Sequence, residues 1–249
     1  AVKVSFRDAN LRYAGAGADS LSDITFDVAP GETVGIIGGT GSGKSSLVNM
    51  IPRFYDASQG SVCIDGVDVK DYTLDELRHK VGVVPQKAVL FAGTIADNIR
   101  WGKQDATEAE IDEALEIAQA KEFVDGKENG IYFKITQGGK NLSGGQKQRL
   151  TIARAVVRKP EILILDDSAS ALDFATDAAL RKAIREKTKG MTVFLVSQRA
   201  STIMNSDKII VMDDGQIAGI GTHRQLLSNC EIYREICQSQ LSEEELSHE

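Results

Sequence analysis

Nine consecutive residues have the types and spacing needed to hold a phosphate group. The first eight follow the pattern Gly-x-x-x-x-Gly-Lys-Ser, and the nine are Gly38, Gly39, Thr40, Gly41, Ser42, Gly43, Lys44, Ser45 and Ser46. Glycines in such a loop let several backbone N–H groups point at one anion, and the N-terminus of a following helix adds its dipole. In this pattern the lysine reaches the β- and γ-phosphates and the next hydroxyl binds Mg²⁺. We therefore predict a nucleotide phosphate site with Lys44 and Ser45 at its centre.

The segments that flank this loop favour a phosphate site over a glycine-rich surface turn. Residues 33–37 are a short, apolar, β-branched run that is typical of a buried strand. Residues 45–51 can form a helix, which Pro52 would end. A strand, a glycine turn and a helix N-terminus in this order form the arrangement that binds phosphate.

A second chemical feature is a pair of carboxylates after a buried strand. Residues 162–165 are all aliphatic and are followed by Asp166 and Asp167. Phosphate-loop sites take a carboxylate for Mg²⁺ from the end of a neighbouring strand, where open α/β sheets bind ligands. We expect Asp166 to help hold Mg²⁺ and Asp167 to act as a general base or to position water. The alternative is that Asp166 merely caps a turn.

Composition narrows the class of protein. The chain has 249 residues, is 42% hydrophobic and has a net charge of −7, which supports a sizeable core and argues against a nucleic-acid partner. No apolar run approaches the length of about 18 residues that spans a bilayer, and no signal-peptide pattern is present, so we expect a soluble chain. The three cysteines have no metal-ligand spacing, which favours a reduced, cytosolic compartment; they are Cys63, Cys230 and Cys237.

Periodicity and turn residues predict alternating strands and helices. Strands are expected at 2–6, 21–28, 62–69 with a turn at Asp65-Gly66, 81–84, 162–166, 191–196, 208–212 and 216–220. Helices are expected after Thr73, Thr107 and Thr222 and over 176–187, and the acidic residues 242–249 are expected to be frayed or disordered. The region from 86 to 157 changes character and is interpreted as an inserted helical subdomain.

Within that region lies a second candidate anion site. A glycine-rich loop at 138–141 leads into a five-residue motif and then a helix with an apolar side. A serine hydroxyl and glycine N–H groups at a helix N-terminus are suited to phosphate oxygens. The motif consists of Leu142, Ser143, Gly144, Gly145 and Gln146.

Leu-Ser-Gly-Gly-Gln between a phosphate loop and an apolar strand that ends in Asp resembles the nucleotide-binding domain of ATP-binding cassette (ABC) transporters, over about residues 2–240. The resemblance implies an α/β fold: a P-loop NTPase (RecA-like) core, an N-terminal antiparallel β subdomain and an inserted α-helical subdomain that carries the signature motif. It implies one domain over 1–249, with the core at 1–86 and 158–240, the helical subdomain at 87–157 and an acidic tail at 241–249.

The resemblance also implies roles for individual residues. Tyr13 would stack on adenine, although a lone tyrosine is more often a core or surface residue. Gln86 would be the Q-loop glutamine, which touches Mg²⁺ and the attacking water. Residues 87–99 are more similar to exporter-type domains than to importer ATPase subunits. The D-loop, which crosses the dimer interface in this family, would be Ser170, Ala171, Leu172 and Asp173.

Members of this family work as head-to-tail dimers. Each ATP, with Mg²⁺, lies between the phosphate loop of one domain and the signature motif of the other. When the dimer closes on ATP, it pulls on the transmembrane helices, and hydrolysis of the ATP releases the dimer. The resemblance therefore implies ATP and Mg²⁺ as cofactors, transmembrane domains and a second nucleotide-binding domain as partners, and a position on the cytoplasmic face of a membrane.

Two positions depart from the family pattern. Asp167 stands where the family usually has glutamate, and Gln198 stands where it usually has histidine. Aspartate is shorter by about 1 Å, and a misplacement of that size can cost on the order of 100-fold in rate. Glutamine can bond to a γ-phosphate but cannot become cationic. Gln137-Gly138 also replaces the acidic and basic residues that often precede the signature, which leaves its coupling to the membrane loops in question.

These departures resemble the degenerate half of a heterodimeric exporter. We predict that the site around Gln86, Asp167 and Gln198 is weakened, and that the intact signature completes the site of a non-identical partner. One departure alone could be drift. Three other readings stay open: an importer ATPase subunit, a soluble ABC ATPase that acts on DNA or ribosomes, and a regulatory ATP-binding module. No long coiled coil and no second cassette are present in this chain, as the DNA and ribosomal types would require.

Overall fold

The computed structural model describes residues 1–167, 171–188 and 190–241. The chain divides into two units, one that combines Ala1–Val81 with the part from Gly190 onward, and one that starts at Gly82 and ends at Lys189. The phosphate loop belongs to the first unit, and the signature motif and the paired carboxylates belong to the second. The acidic tail predicted at 242–249 lies outside the described residues.

The strands and helices alternate along the chain. The strands are β1 (Val4–Leu11), β2 (Leu21–Val28), β3 (Thr33–Gly38), β4 (Gln59–Ile64), β5 (Val67–Asp68), β6 (Val81–Val84), β7 (Gly93–Thr94), β8 (Lys134–Ile135), β9 (Ile162–Asp166), β10 (Thr192–Val196), β11 (Lys208–Asp213) and β12 (Gln216–Gly221). The α-helices are α1 (Lys44–Asn49), α2 (Leu74–Lys80), α3 (Ile95–Arg100), α4 (Glu108–Ile117), α5 (Lys121–Asp125), α6 (Gly144–Val156), α7 (Phe174–Lys187), α8 (Ala200–Ile203), α9 (His223–Asn229) and α10 (Glu231–Gln240).

An antiparallel sheet forms the N-terminal part of the first unit, in the order β2-β1-β4-β5. Strands β1 and β2 alternate apolar and polar residues, so that one face of each is buried. Phe6 lies opposite Phe26 in the register, and their rings stack with centroids 4.6 Å apart. The predicted antiparallel β subdomain is confirmed, with β1 running to Leu11 and therefore longer than expected.

A parallel ladder in the same unit carries the phosphate loop. Strand β3 pairs in parallel with β10 on one side and with β11 on the other, and β12 returns antiparallel to β11. Both hydrogen-bonding edges of β3 are thus occupied by these two strands.

The second unit is mostly helical. Helices α3 and α4 both pack against α6, and their apolar faces are buried through Ile95, Ile99, Ile111 and Leu115. The backbone approach is close at Gly102, where a Cβ would lie 1.9 Å from the carbonyl oxygen of Arg154. The helical character predicted for this region is confirmed, and so is the apolar strand β9 that ends at Asp166.

Capping residues place three of the helix starts where the sequence predicted them. Complete capping boxes occur at Thr73, Thr107 and Thr222, where the hydroxyl and the side chain three residues later satisfy two backbone N–H groups. A fourth box at Thr94 opens α3, which the sequence reading missed because its partner is Asp97 rather than Glu or Gln. Helix α7 starts at Phe174, two positions before the predicted start, because Asp173 caps it.

In the described part of the chain, no helix has the length and apolar character that crossing a bilayer requires.

Two glycines with left-handed backbone give a matched test of this packing. Gly60 (φ +75) has no room for a side chain, since a Cβ would lie 2.2 Å from the carbonyl oxygen of Asp8, whereas Gly66 (φ +77) faces open space. We expect Gly66→Ala to cost about 1 kcal/mol in free energy of unfolding, from backbone strain alone. Gly60→Ala should cost about 1–3 kcal/mol more because the strands must separate. Urea denaturation of both variants measures the difference, and equal losses would contradict the close β1–β4 approach.

Candidate functional site

The phosphate loop is built as a tight backbone turn between β3 and α1. Gly41 (φ +79) and Gly43 (φ +101) both adopt left-handed conformations, which glycine reaches without steric cost. Gly43 is the N-cap of α1, and the Gly215 N–H of the β11–β12 turn donates to the carbonyl oxygen of Ser42 at 3.0 Å. The loop is therefore fixed at both its ends and its middle.

Lys44 is buried against its own loop. Its Nζ donates to the carbonyl oxygens of Gly38 at 2.8 Å and Gly39 at 3.1 Å, and the residue is 9% exposed. The positive charge of Lys44 is therefore held against the loop, and a lysine ammonium is a common point-charge partner for phosphate.

Two details describe the start and the middle of the loop, at Gly38 and Ser42. A Cβ at Gly38 would lie 2.5 Å from both the Met212 carbonyl oxygen and the Ser42 hydroxyl, so the backbone approach here requires glycine. The Ser42 hydroxyl is buried and has no hydrogen-bond partner within the described residues. A buried polar atom without a partner costs stability, and an anion in the loop is one way to satisfy it.

Tyr13 lies at the edge of this loop. Its hydroxyl is hydrogen-bonded to that of Ser46, and its ring meets Tyr55 edge to face with centroids 4.9 Å apart. The structure thus brings the residue expected to stack on adenine to the last residue of the phosphate loop. Whether Tyr13 binds a base stays a prediction.

Gln198 also reaches the phosphate loop. It follows β10, is exposed, and its Nε2 is 3.4 Å from the Thr40 hydroxyl. The loop that carries it is held by a glutamine from the end of α10, since Gln240 Nε2 donates to the Gln198 carbonyl oxygen at 2.9 Å. Tyr13, Gln198 and the phosphate loop therefore come together within the first unit.

In the second unit, Gln86 meets Asp167. Gln86 Nε2 is 3.3 Å from Asp167 Oδ2, and Asp167 adopts a left-handed backbone (φ +52), which aspartate tolerates better than most residues. Gln148 of α6, which is 4% exposed, donates to the Gln86 carbonyl oxygen at 2.7 Å. Gln86 is thus held at its backbone by α6 and joined to Asp167 by its side chain.

The signature motif forms the N-terminus of α6. The Ser143 hydroxyl accepts from the Gln146 N–H at 3.1 Å, and the Gln146 Oε1 accepts from the Ser143 N–H at 3.1 Å. This capping box leaves Ser143 and Gly144 exposed, while Leu142 is buried and anchors the turn. The predicted second helix N-terminus is confirmed as a structural feature.

The predicted D-loop lies beside the signature. A Cβ at Gly145 would be 3.2 Å from the Ala171 carbonyl oxygen, Leu172 is buried, and Asp173 caps α7 through the Thr176 N–H at 2.8 Å. That hydrogen bond lowers the pKa of the Asp173 carboxyl. Ser170, the first D-loop residue, lies outside the described residues.

Mg²⁺ requires oxygen donors. Within the described ranges, no group of three or more His, Cys, Asp or Glu side chains is arranged to hold a metal ion. Mg²⁺ at nucleotide sites typically takes one or two carboxylates plus phosphate oxygens and water. The hydroxyl of Ser45 and the carboxylate of Asp166 both offer oxygen, and their role at Mg²⁺ stays a prediction.

Comparison with known families decides what these motifs belong to. The family model described as ABC transporter matches residues 21–170, from β2 through the phosphate loop and the signature to the segment after β9. The chain belongs to the ABC transporter family. The fold and motifs described above are those of an ATP-binding ATPase domain of that family.

Related ABC proteins extend beyond this chain. A Bacillus subtilis protein described as the uncharacterized ABC transporter ATP-binding protein YfiB is 43% identical over 242 residues, which are 97% of this chain and 42% of that protein. An ATP-dependent lipid A-core flippase of Hahella chejuensis is 41% identical over 242 residues, 97% of this chain and 41% of the flippase. The chain thus spans about two fifths of the length of the curated relatives it matches.

A solved structure agrees with the fold over nearly the whole chain. The structure of a bacterial Atm1-family ABC exporter with ATP bound matches 97% of this chain and 42% of that chain, with a TM-score of 0.92 and 37% sequence identity. The predicted α/β fold is therefore confirmed.

Sequence reasoning missed the residues that hold the motifs in place. Gln148 and Gln240 each support a predicted site residue through a backbone carbonyl, and neither lies in a pattern that the sequence analysis used. Gln148 occupies a position of α6 that is 4% exposed, and a glutamine on the apolar side of a helix is the one signal that could have indicated it.

We expect Gln148→Met to loosen the backbone near Gln86 while changing the stability of the fold very little. The Oε1 of Gln148 is buried and has no partner among the described residues, so methionine removes one hydrogen bond and one unsatisfied acceptor together. The free energy of unfolding should change by less than about 1 kcal/mol. Amide hydrogen exchange at residues 86–88 should become faster, because the Gln86 carbonyl loses its donor. Unchanged exchange there would show that α6 does not hold the backbone at Gln86.

Proposed function

We propose that the chain is the ATP-binding and ATP-hydrolysing motor domain of a heterodimeric ABC exporter, with a weakened ATP site of its own and an intact signature that completes the site of its partner. Its partners are a second, non-identical nucleotide-binding domain and the transmembrane domains of the exporter, with no nucleic acid involved. The domain would lie on the cytoplasmic face of the membrane. Exporter names among the relatives and the match to an exporter structure support the assignment to an exporter.

The family motifs supply the groups that would hold the nucleotide. The N–H groups of residues 38–46 and the Lys44 ammonium bind the triphosphate, and Tyr13 stacks on the adenine. Ser45 and Asp166 would hold Mg²⁺, and Gln86 would contact it. Bound ATP with Mg²⁺ supplies the phosphoryl group and the positive charge that stabilises its transfer. The motif set of the family supports each of these roles.

The chain's own groups for water activation are weak. Asp167 is the carboxylate that would polarise the attacking water, and its short side chain is turned toward Gln86 by a 3.3 Å contact. Gln198 donates a hydrogen bond toward the phosphate loop, where a histidine could also supply positive charge. Since proton removal and charge stabilisation are both reduced, ATP bound at this site should be held longer than it is hydrolysed.

The signature end of α6 supports a role toward a second molecule. Ser143 and Gly144 are exposed at the N-terminus of a 13-residue helix, where N–H groups and the helix dipole favour an anion. The observation that carries the proposal is this combination of an intact, exposed signature with two altered residues at the chain's own site, Asp167 and Gln198. The predicted boundaries of the helical subdomain at 87–157 and the D-loop roles of Ala171, Leu172 and Asp173 remain part of the proposal.

Restoring the altered residues tests the weakened site. In the chain assembled with its partner, Asp167→Glu together with Gln198→His should raise ATP turnover by on the order of 10- to 100-fold, because the carboxylate moves about 1 Å nearer the water. A phosphate-release assay measures this, with Asp167→Asn as the matched loss variant. Fast turnover by the unaltered chain that Asp167→Asn does not reduce would contradict the proposal. So would turnover per molecule that rises with concentration, because an identical copy would then complete the site.

Nucleotide binding by the phosphate loop is tested separately. Lys44→Met should lower ATP affinity by on the order of 10-fold or more, because it removes a charged donor to phosphate oxygens. Lys140→Met, at an exposed lysine before the signature, changes the net charge equally and should leave affinity unchanged. Isothermal titration of both variants with ATP measures the difference, and an equal loss would show that only the overall charge matters.

A further inference from the structure

A single carboxamide joins the C-terminal helix to the loop that carries Gln198. The Nε2 of Gln240 donates to the Gln198 carbonyl oxygen at 2.9 Å, and its Oε1 accepts from the Ala200 N–H at 2.8 Å. The two bonds lie on either side of Arg199, so one side chain fixes three successive residues. All of these residues belong to the first unit.

The acceptor bond meets a need of the local backbone. Helix α8 starts at Ala200, and its N-cap Arg199 makes no side-chain capping bond. The first N–H groups of a helix have no partner inside it. Gln240 therefore caps α8 from a distant helix, in the way that Ser or Asp caps a helix from the adjoining position.

The other end of this loop meets the phosphate loop. Gln198 Nε2 is 3.4 Å from the Thr40 hydroxyl, so the Gln198 backbone is held by α10 while its side chain reaches toward the nucleotide. Helix α10 is itself anchored by Tyr233 and Cys237, both 0% exposed. A rigid helix thus sets the point from which the Gln198 side chain extends.

We propose that Gln240 is a positioning residue that holds the Gln198 loop so that Gln198 reaches the γ-phosphate of ATP. This rests on the proposed function, in which Gln198 is the residue that contacts the γ-phosphate. Gln240 touches no nucleotide and acts only through Gln198. Its amide is required in both of its roles, because the loop needs a donor at Gln198 and an acceptor at Ala200 from the same group.

The test measures how well the 249-residue chain distinguishes ATP from ADP, which differ in the γ-phosphate. Isothermal titration with each nucleotide gives the ratio of their affinities. Gln198→Ala should reduce the preference for ATP by about two- to tenfold, the worth of one hydrogen bond. Gln240→Met should reduce it similarly, while Gln238→Met, at an exposed glutamine of the same helix, should not.

The double variant separates positioning from a general structural effect. In the Gln198→Ala background, Gln240→Met should cause no further loss of preference, because its effect passes through Gln198. Gln240→Glu keeps the acceptor for Ala200 but sets a carboxylate against the Gln198 carbonyl, so it should lose the preference as Gln240→Met does. Additive losses in the double variant, or an unchanged preference in Gln240→Met, would overturn the proposal.

The result for the single variant Gln198→Ala tests the proposed function. If Gln198→Ala leaves the preference unchanged, the assigned role of Gln198 fails and the inference about Gln240 fails with it. If Gln198→Ala loses the preference and Gln240→Met does not, only the inference about Gln240 fails. Amide exchange of Ala200 gives a second readout, since it should become faster in Gln240→Met and stay slow in Gln240→Glu.

Discussion

The phosphate loop depends on the missing side chain of Gly38. At this point the backbone passes so close to the Met212 carbonyl oxygen and to Ser42 that a Cβ would lie 2.5 Å from either. The same closeness brings the carbonyls of Gly38 and Gly39 within reach of Lys44. A loop with more space would leave the lysine in solvent, where its charge is screened. The parallel ladder of β10, β3 and β11 supplies the rigid support for this contact.

Amide side chains hold the two altered residues of the site. Gln86 contacts Asp167 in one unit, and Gln240 holds the Gln198 loop in the other. In both places the side-chain amide of a glutamine donates to an oxygen. At Asp167 this is a carboxylate oxygen, and at Gln198 it is the backbone carbonyl oxygen. Both residues that depart from the family pattern are therefore held in place by hydrogen bonds.

Local sequence was sufficient for many of the elements and for the motifs at their ends. The capping boxes at Thr73, Thr107 and Thr222 were predictable because each involves residues three positions apart. The order of strands was not, because β3 takes its neighbours from residues more than 150 positions away. Contacts such as Gln240 with Gln198 depend on how α10 packs, and no short pattern records that packing. The sequence could therefore indicate which residues do chemistry better than which residues hold them.

The cap at Ser143 decides whether the signature offers hydrogen-bond donors or acceptors. The hydroxyl oxygen already accepts from the Gln146 N–H, so its own hydrogen is what it has left to give. Beside it, the first N–H groups of α6 also offer hydrogen. This end of the helix therefore presents a surface of donors, which favours a fully ionised oxygen and disfavours a protonated one. An anion bound at this helix end should prefer the state in which its oxygens carry no proton.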